Sequence, residues 1–287
     1  MPLPKGTAAA IGRSLRIYYG DDARARAMDA LYRRFLRPGD LAFDIGAHVG
    51  DRIASFRRLG AAVVALEPQP GAMRALRLIH GRDPATMLLQ AAAGDEDGEL
   101  TLYVNSANPT VSTVSEAFIR AADGADGWDD ELWDSAIQVP CLTLDRLIRE
   151  HGRPAFIKID VEGFEDRVLM GLSEPIAALS FEFTTIAREV AQRCLARLAA
   201  LGPYGFDVAI GETQRLTFGR GVSREEMTAY LDSLPHEANS GDVYAMLSHT
   251  PSEWLVQGIG VLGASSQCRL PTCPRHHPGP DRRVADP

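Results

Sequence analysis

No apolar run in this chain approaches the ~20 residues that a membrane span requires, so no transmembrane helix is expected. The opening residues, Met1-Pro2-Leu3-Pro4-Lys5-Gly6, carry one positive charge and no apolar stretch of the secretory kind. Four cysteines in 287 residues are too few and too scattered for a disulfide framework. Two of them, Cys141 and Cys194, fall on apolar patterns and read as core thiols. A reducing cytoplasm is the expected setting. Positive charge is also in deficit: the net charge of −8 opposes nucleic acid and anionic membranes at long range, and neither is expected as a partner. No tyrosine is followed four residues later by lysine, which removes the catalytic pair of short-chain oxidoreductases.

What is present points to a nucleotide-type site. The run Leu41-Ala42-Phe43-Asp44-Ile45-Gly46-Ala47-His48-Val49-Gly50 reads as a buried strand, a glycine turn and a helix start. A second strand follows and ends in Ala65-Leu66-Glu67-Pro68, where Glu67 can accept hydrogen bonds from both hydroxyls of a ribose. The glycine spacing here is Asp-x-Gly-x-x-x-Gly rather than the Gly-x-Gly-x-x-Gly of dinucleotide binders. Asp44 before the turn and Asp51 after it would repel a pyrophosphate. S-adenosylmethionine suits the turn better, with an adenosine, a zwitterionic end and a positive sulfonium. On that reading Gly46 and Gly50 let backbone approach the methionine portion, and Asp44 holds the ammonium directly or through water. The plainer alternative is that Asp44 caps the helix and the glycines only turn the chain.

Further along stand Thr143-Leu144-Asp145-Arg146-Leu147, then Phe156-Ile157-Lys158-Ile159-Asp160-Val161-Glu162-Gly163-Phe164-Glu165, then Val168-Leu169-Met170-Gly171-Leu172. With Phe43–Ala47 and Leu66-Glu67-Pro68 these runs resemble the FkbM family of methyltransferases, over about residues 36–183 and more weakly to 247. One departure is His48, where the family usually has Asn. The resemblance implies a class I S-adenosylmethionine-dependent fold and, most often, methylation of a hydroxyl on a sugar or natural-product scaffold, without fixing the acceptor.

The remaining pattern predicts one α/β domain. It is a Rossmann-like, mostly parallel seven-stranded sheet with helices on both faces, spanning residues 37–250. An N-terminal helical extension covers residues 1–36, and a C-terminal extension covers 251–287, disordered from about 265. Strands are expected at 41–44, 62–66, 86–92, 100–105, 137–142, 155–160, 179–183, 204–210 and 242–247, the last two antiparallel. Helices are expected near 23–36, 51–59, 69–80, 164–172 and 187–201, with another beginning near 143. The helix at 23–36 packs on the sheet edge with its arginines solvated, or else covers the cofactor pocket. Ala92, Ala93 and Asp95 end the third strand, where small residues leave room for adenine and Asp95 can receive its exocyclic amine. Residues 106–136 form an insertion in which Trp128 and Trp133 pin a lid to the core or stack on sugar rings, pinning being favoured. In the tail, Cys268, Cys273, His276 and His277 follow no trustworthy structural zinc spacing.

Asp44, Glu67, Ala92, Ala93 and Asp160 all fall at carboxyl ends of strands, where ligands of open parallel sheets bind. Asp160 or Glu162 is the expected base for the acceptor hydroxyl, with Lys158 as charge partner. His48 is either a base or a hydrogen-bonding residue in place of Asn, and the latter is favoured. Paired acids without a supporting His or Asn are weak ground for a metal, and none is expected. The partner is therefore a small-molecule or glycan acceptor, and the oligomeric state is left open. The rival readings are a nicotinamide-dependent oxidoreductase and a cofactor-binding scaffold without catalysis.

Overall fold

The computed structural model describes residues 6–248. The expectations for the tail, including its disorder and its cysteines and histidines, lie outside the described residues. The strands are β1 (Leu41–Ile45), β2 (Ala62–Leu66), β3 (Thr86–Leu89), β4 (Ala92–Ala93), β5 (Gly98–Val104), β6 (Ser135–Leu142), β7 (Phe156–Ile159), β8 (Ala178–Thr184), β9 (Tyr204–Ile210) and β10 (Ser240–Leu247). Seven of them form one sheet in the order β3-β2-β1-β7-β8-β10-β9. The pairs from β3 through β8 are parallel, and β10 runs antiparallel to both β8 and β9. This is the predicted class I methyltransferase sheet.

The helices are α1 (Thr7–Tyr19), α2 (Asp22–Tyr32), α3 (Asp51–Arg58), α4 (Pro70–Ile79), α5 (Glu116–Ala122), α6 (Leu144–His151), α7 (Glu165–Met170), α8 (Arg188–Leu201) and α9 (Arg224–Ser233). Alternation along the strands explains why both faces need covering. In β1 and β2, Phe43, Ile45, Val64 and Leu66 enter one core with α6, α7, α8 and α9. Ala42, Val63 and Ala65 enter the other, with α2, α3 and α4. Phe35, just past α2, stacks on Phe156 and Tyr244 at 5.0 and 5.6 Å between ring centres. That stack ties the N-terminal extension to the middle of the sheet. Such contacts add roughly 0.5–1.5 kcal/mol beyond the area they bury.

Two predictions need correction. The expected strand 86–92 breaks at Gln90, and Ala92–Ala93 leaves the main sheet to pair with Cys141-Leu142 of β6. With β5 it makes a three-stranded sheet, β4-β6-β5. A run of apolar and small residues hides such a break, because either sheet buries them equally well. Second, α9 was not anticipated, and the helical N-terminal extension holds a helix, α1, ahead of the one expected at 23–36. Helix α9 opens with a capping box, Ser223 and Glu226 closing on each other's backbone, a signature the sequence did display.

The insertion leaves β5 and returns into β6. Trp128 and Trp133 both set an edge against Phe118 of α5, at 5.3 and 6.4 Å, and the Trp133 indole donates to the Val111 carbonyl at 2.9 Å. Pinning is the role the packing gives them.

Candidate active site

A single cleft at the carboxyl ends of β1, β2 and β7 is lined by Asp44, Gly46, His48, Glu67, Ala92, Ala93, Lys158, Asp160 and Glu162. Residues more than a hundred positions apart meet there because the parallel strands end together. The turn after β1 is pulled onto β2, with Gly46 and Ala47 donating to the Leu66 carbonyl at 3.0 and 2.9 Å. Gly46 has φ +86°, and a Cβ on it would lie 1.8 Å from the Asp160 carbonyl oxygen. Its bareness is therefore demanded by the loop after β7.

Glu67 is 2 % exposed. One carboxylate oxygen accepts from the His48 N–H at 2.8 Å and the other from the Gln69 N–H at 2.7 Å. Burial pushes this carboxyl up to about 8 against those two bonds, which favour the ionised form. Each oxygen keeps a second lone pair. Asp44 is equally buried, and its Oδ2 has no hydrogen-bond partner among the described residues. Burial, helped by the Asp51 carboxylate, raises Asp44 to about 7.

On the other side the run Lys158–Glu165 closes on itself. Lys158 is 1 % exposed and gives its ammonium to Asp242 of β10 at 2.6 Å and to Asp160 at 3.1 Å. Burial works against Asp160, yet Lys158 and the Arg52 guanidinium outweigh it and hold that carboxyl below the usual carboxylate range. Glu165 gathers the loop, accepting from the Val161 and Gly163 N–H groups at 3.0 and 3.1 Å. Glu162 sits between them at φ +56°, its carbonyl taking the Thr113 hydroxyl at 2.7 Å. Gly163 is bare because Phe118 lies 2.5 Å from where its Cβ would be. The Lys158 and Glu165 side chains thus shape one loop, while the Glu162 carboxylate takes no part in it.

Residues 44–208, more than half of the chain, match the family model described as the Methyltransferase FkbM domain. The chain belongs to the FkbM methyltransferase family. One relative is the hexuronic acid methyltransferase AglP of Haloferax volcanii, 28% identical over 152 residues, 51% of this chain and 56% of that protein. Another is the 31-O-demethyl-FK506 methyltransferase FkbM of Streptomyces tacrolimicus, 32% identical over 160 residues, 48% of this chain and 62% of that protein. The matched part thus spans less than two thirds of either relative. Among solved structures, an O-methyltransferase from Bacillus cereus in complex with SAH aligns with a TM-score of 0.42 at 11% identity, covering 86% of this chain and 93% of that one.

Within this FkbM domain the structure brings together most of the residues singled out from sequence, and parts with two. Asp95 does not reach the cleft; its carboxylate is paired with Arg167 of α7. Gly50 does not line it either: a Cβ there would strike Leu76 and His80 of α4, so this glycine serves helix packing. His48 also departs from its favoured role. Its backbone N–H serves Glu67, but both ring nitrogens are buried without partners among the described residues. Burial lowers its pKa to about 4, so the imidazole is neutral at ordinary pH.

The cleft also recruits residues that sequence reasoning missed. Tyr18 from α1 lines it and meets the His48 ring edge-on at 5.9 Å. Arg24, expected on a solvated face, instead binds Asp51 and Glu212, both at 2.8 Å. Arg52 adds contacts of 2.6 Å to Asp51 and 3.1 Å to Glu212. Asp51 is therefore neutralised from within, and the acids left to oppose a polyanion are Asp160, which stays ionised, and Asp44 and Glu67, which lose their protons near 7 and 8. Glu182, an acid inside the largely buried strand β8, lies beside Asp160 and Glu162, with ligand oxygens of all three within 4.8 Å of one another.

Proposed function

We propose that this cleft binds S-adenosylmethionine and that the protein transfers its methyl group to a hydroxyl of a sugar or secondary-metabolite acceptor. The observation that carries the cofactor reading is the orphaned oxygen of Asp44, buried in a cleft whose other polar walls are the carboxylates of Glu67 and Asp160. A ligand supplying an ammonium and a ribose diol meets those needs, whereas a pyrophosphate would meet three carboxylates. Asp44 holds the ammonium, Glu67 uses its spare lone pairs on the ribose hydroxyls, and Ala92 and Ala93 leave room for the base. The bound cofactor supplies an electrophilic methyl group.

The chain's own part in transfer is to orient the acceptor, exclude water and take one proton. Positioning carries much of the acceleration in an in-line displacement. Asp160 takes the proton: Lys158 keeps it ionised, and its carboxylate faces the cleft with 29% of the side chain exposed. General-base help of this kind is worth on the order of 10²–10⁴ in rate. The acceptor class is supported by the two relatives, one named for a hexuronic acid and one for 31-O-demethyl-FK506.

Calorimetry on the purified chain tests the cofactor directly. S-adenosylmethionine is expected to bind, NAD is not, and above about pH 8, where the Glu67 carboxyl is ionised, Glu67→Ala should weaken binding by roughly 1.5–3 kcal/mol, the worth of a hydrogen bond to a charged group. Tight NAD binding with no S-adenosylmethionine binding would overturn the reading. For the acceptor, extracts incubated with methyl-labelled cofactor should yield a labelled sugar or secondary metabolite, and Asp160→Asn should keep cofactor affinity while losing turnover.

A further inference from the structure

We infer that Asp160, Glu162 and Glu182 form a binding site for a hard divalent cation, Mg²⁺ or Mn²⁺, at the reacting end of the cleft. Strand pairing builds the cluster. Ile159 of β7 lies opposite Phe181 of β8, so the next pair brings Asp160 alongside Glu182, and Asp242 of β10 lies opposite Glu182 from the other side. Glu162 reaches the same point from the loop after β7. Ligand oxygens of Asp160, Glu162 and Glu182 lie within 4.8 Å of one another. An octahedral cation holds oxygens ~2.1 Å away, hence roughly 3–4 Å apart, so a small inward movement brings the three acids to ligating distance.

A gathering of acids alone would not make a site, but the Glu162 carboxylate and one oxygen of Glu182, whose carboxyl also hydrogen-bonds Asp160, are left without partners among the described residues. Glu162 is 8 % exposed, and its carboxylate makes no hydrogen bond among the described residues. The Glu182 Oε2 is shut off from solvent and also has no partner among them. Elsewhere in this loop the protein satisfies such groups: Glu165 takes backbone N–H groups, and Asp160 and Asp242 take Lys158. Among the described residues the lysine is the only cation hydrogen-bonded to this group, and both its carboxylate partners draw on it. All-oxygen carboxylate ligation suits Mg²⁺ or Mn²⁺ rather than zinc or copper.

The cation would meet the cleft through Asp160 and Glu162, which line it, and would keep positions open for water or an acceptor oxygen. If the methyl-transfer reading holds, an acceptor hydroxyl bound there is fixed and made more acidic, and an acceptor with two adjacent oxygens would chelate. The site itself does not depend on that reading.

The test is Mn²⁺ titration of the purified full chain, followed by electron paramagnetic resonance, with no cofactor or acceptor added. One saturable Mn²⁺ site displaced by Mg²⁺ is expected. Glu182→Gln and Glu162→Gln should each weaken it by roughly ten-fold or more, as changes at metal shells do. Each variant's circular dichroism and S-adenosylmethionine calorimetry establish that it is folded and separate this proposal from the cofactor reading. No saturable site in the wild type would overturn the inference. So would Mn²⁺ affinity unchanged in both folded variants, which would leave the acids sharing protons instead of a metal.

Discussion

The two sides of the cleft floor manage buried acid in opposite ways. Under β1 and β2, among the described residues, no lysine or arginine is hydrogen-bonded to Asp44 or Glu67; backbone N–H groups hold Glu67, and one oxygen of Asp44 has no partner. Under β7, β8 and β10 a buried lysine binds two carboxylates directly. The first side is poised for a ligand that brings its own positive charge and hydroxyls. The second is built around an internal cation and fixes a loop. Substitution on each side should therefore have a different signature: loss of binding on the first, loss of folding stability on the second.

The largest effect is expected from Lys158→Met. It strips Asp160 and Asp242 of their shared ammonium and leaves them buried, at a cost of about 3–5 kcal/mol in urea unfolding. Adding Asp242→Asn should restore part of that stability, because the stranded charge is then removed. Lys158 is also the sole lysine among the described residues, every other basic side chain in them being arginine or histidine. An ammonium is a compact point donor that one strand position can direct to two carboxylates, which a planar guanidinium would not do in the same space. Lys158→Arg should accordingly fail to rescue.

Next is Gly46→Ala, at the seam where the two sides touch. The added methyl meets the Asp160 carbonyl and must also adopt a positive φ, so a loss of about 2–4 kcal/mol is expected. Gly39→Ala is the control: its φ is +92°, but nothing lies within 4 Å of the new Cβ, and strain alone should cost about 1–2 kcal/mol. Equal losses at both positions would dissolve the claim that the β1 turn is locked against the β7 loop.

Asp44→Asn separates binding from stability on the first side. In the folded chain Asp44 titrates near 7, raised from an ordinary value of 3.8. An acid whose folded pKa is raised binds more protons folded than unfolded between those values, so stability falls as pH rises from about 4 to about 7 and is level above. The variant should lose this slope and be more stable than wild type at pH 7 by roughly 1–3 kcal/mol, while binding S-adenosylmethionine more weakly. Thermal melts of both proteins across that range, with and without cofactor, would show it; parallel pH profiles would refute it.

How much of this could be read beforehand follows from what kind of information each feature needs. Strands such as 62–66 and 204–210 are bounded by local alternation and turn residues, and the structure places them at those positions. The meeting of Asp44, Glu67 and Asp160 was legible because position at the end of a parallel strand is itself a local property. Asp95 was misread because the chain changes sheets at Gln90, and nothing within a few residues signals which sheet an alanine pair will join. Tyr18, Arg24 and Glu212 come from three separate elements, and their meeting depends on tertiary closure alone. Glu182 did leave a trace: a glutamate in the buried strand Ala178–Thr184 is costly unless something answers it.

The smallest effect belongs to the rim, where Glu212 joins Arg24 and Arg52. Burial would raise this carboxyl, but the Arg52 and Arg24 guanidinium groups outweigh that and take it down to about 2. A lowered acid pKa gives stability that is present above the ordinary value of 4.5 and is lost as pH falls toward 2. Half of the Glu212 side chain is nonetheless exposed, so water screens the pairing and only about 0.5–1 kcal/mol should be lost in Glu212→Gln at neutral pH. The difference from wild type should shrink with added salt and close as pH drops from about 4.5. Since Arg24 lies on α2 and Arg52 on α3, the same variant should raise amide exchange near Tyr18 more than near Lys158. Equal exchange at both places would mean that the rim and the floor of the cleft are one cooperative unit, and that the contrast between a lysine-free side and a lysine-bridged side does not extend to its cover.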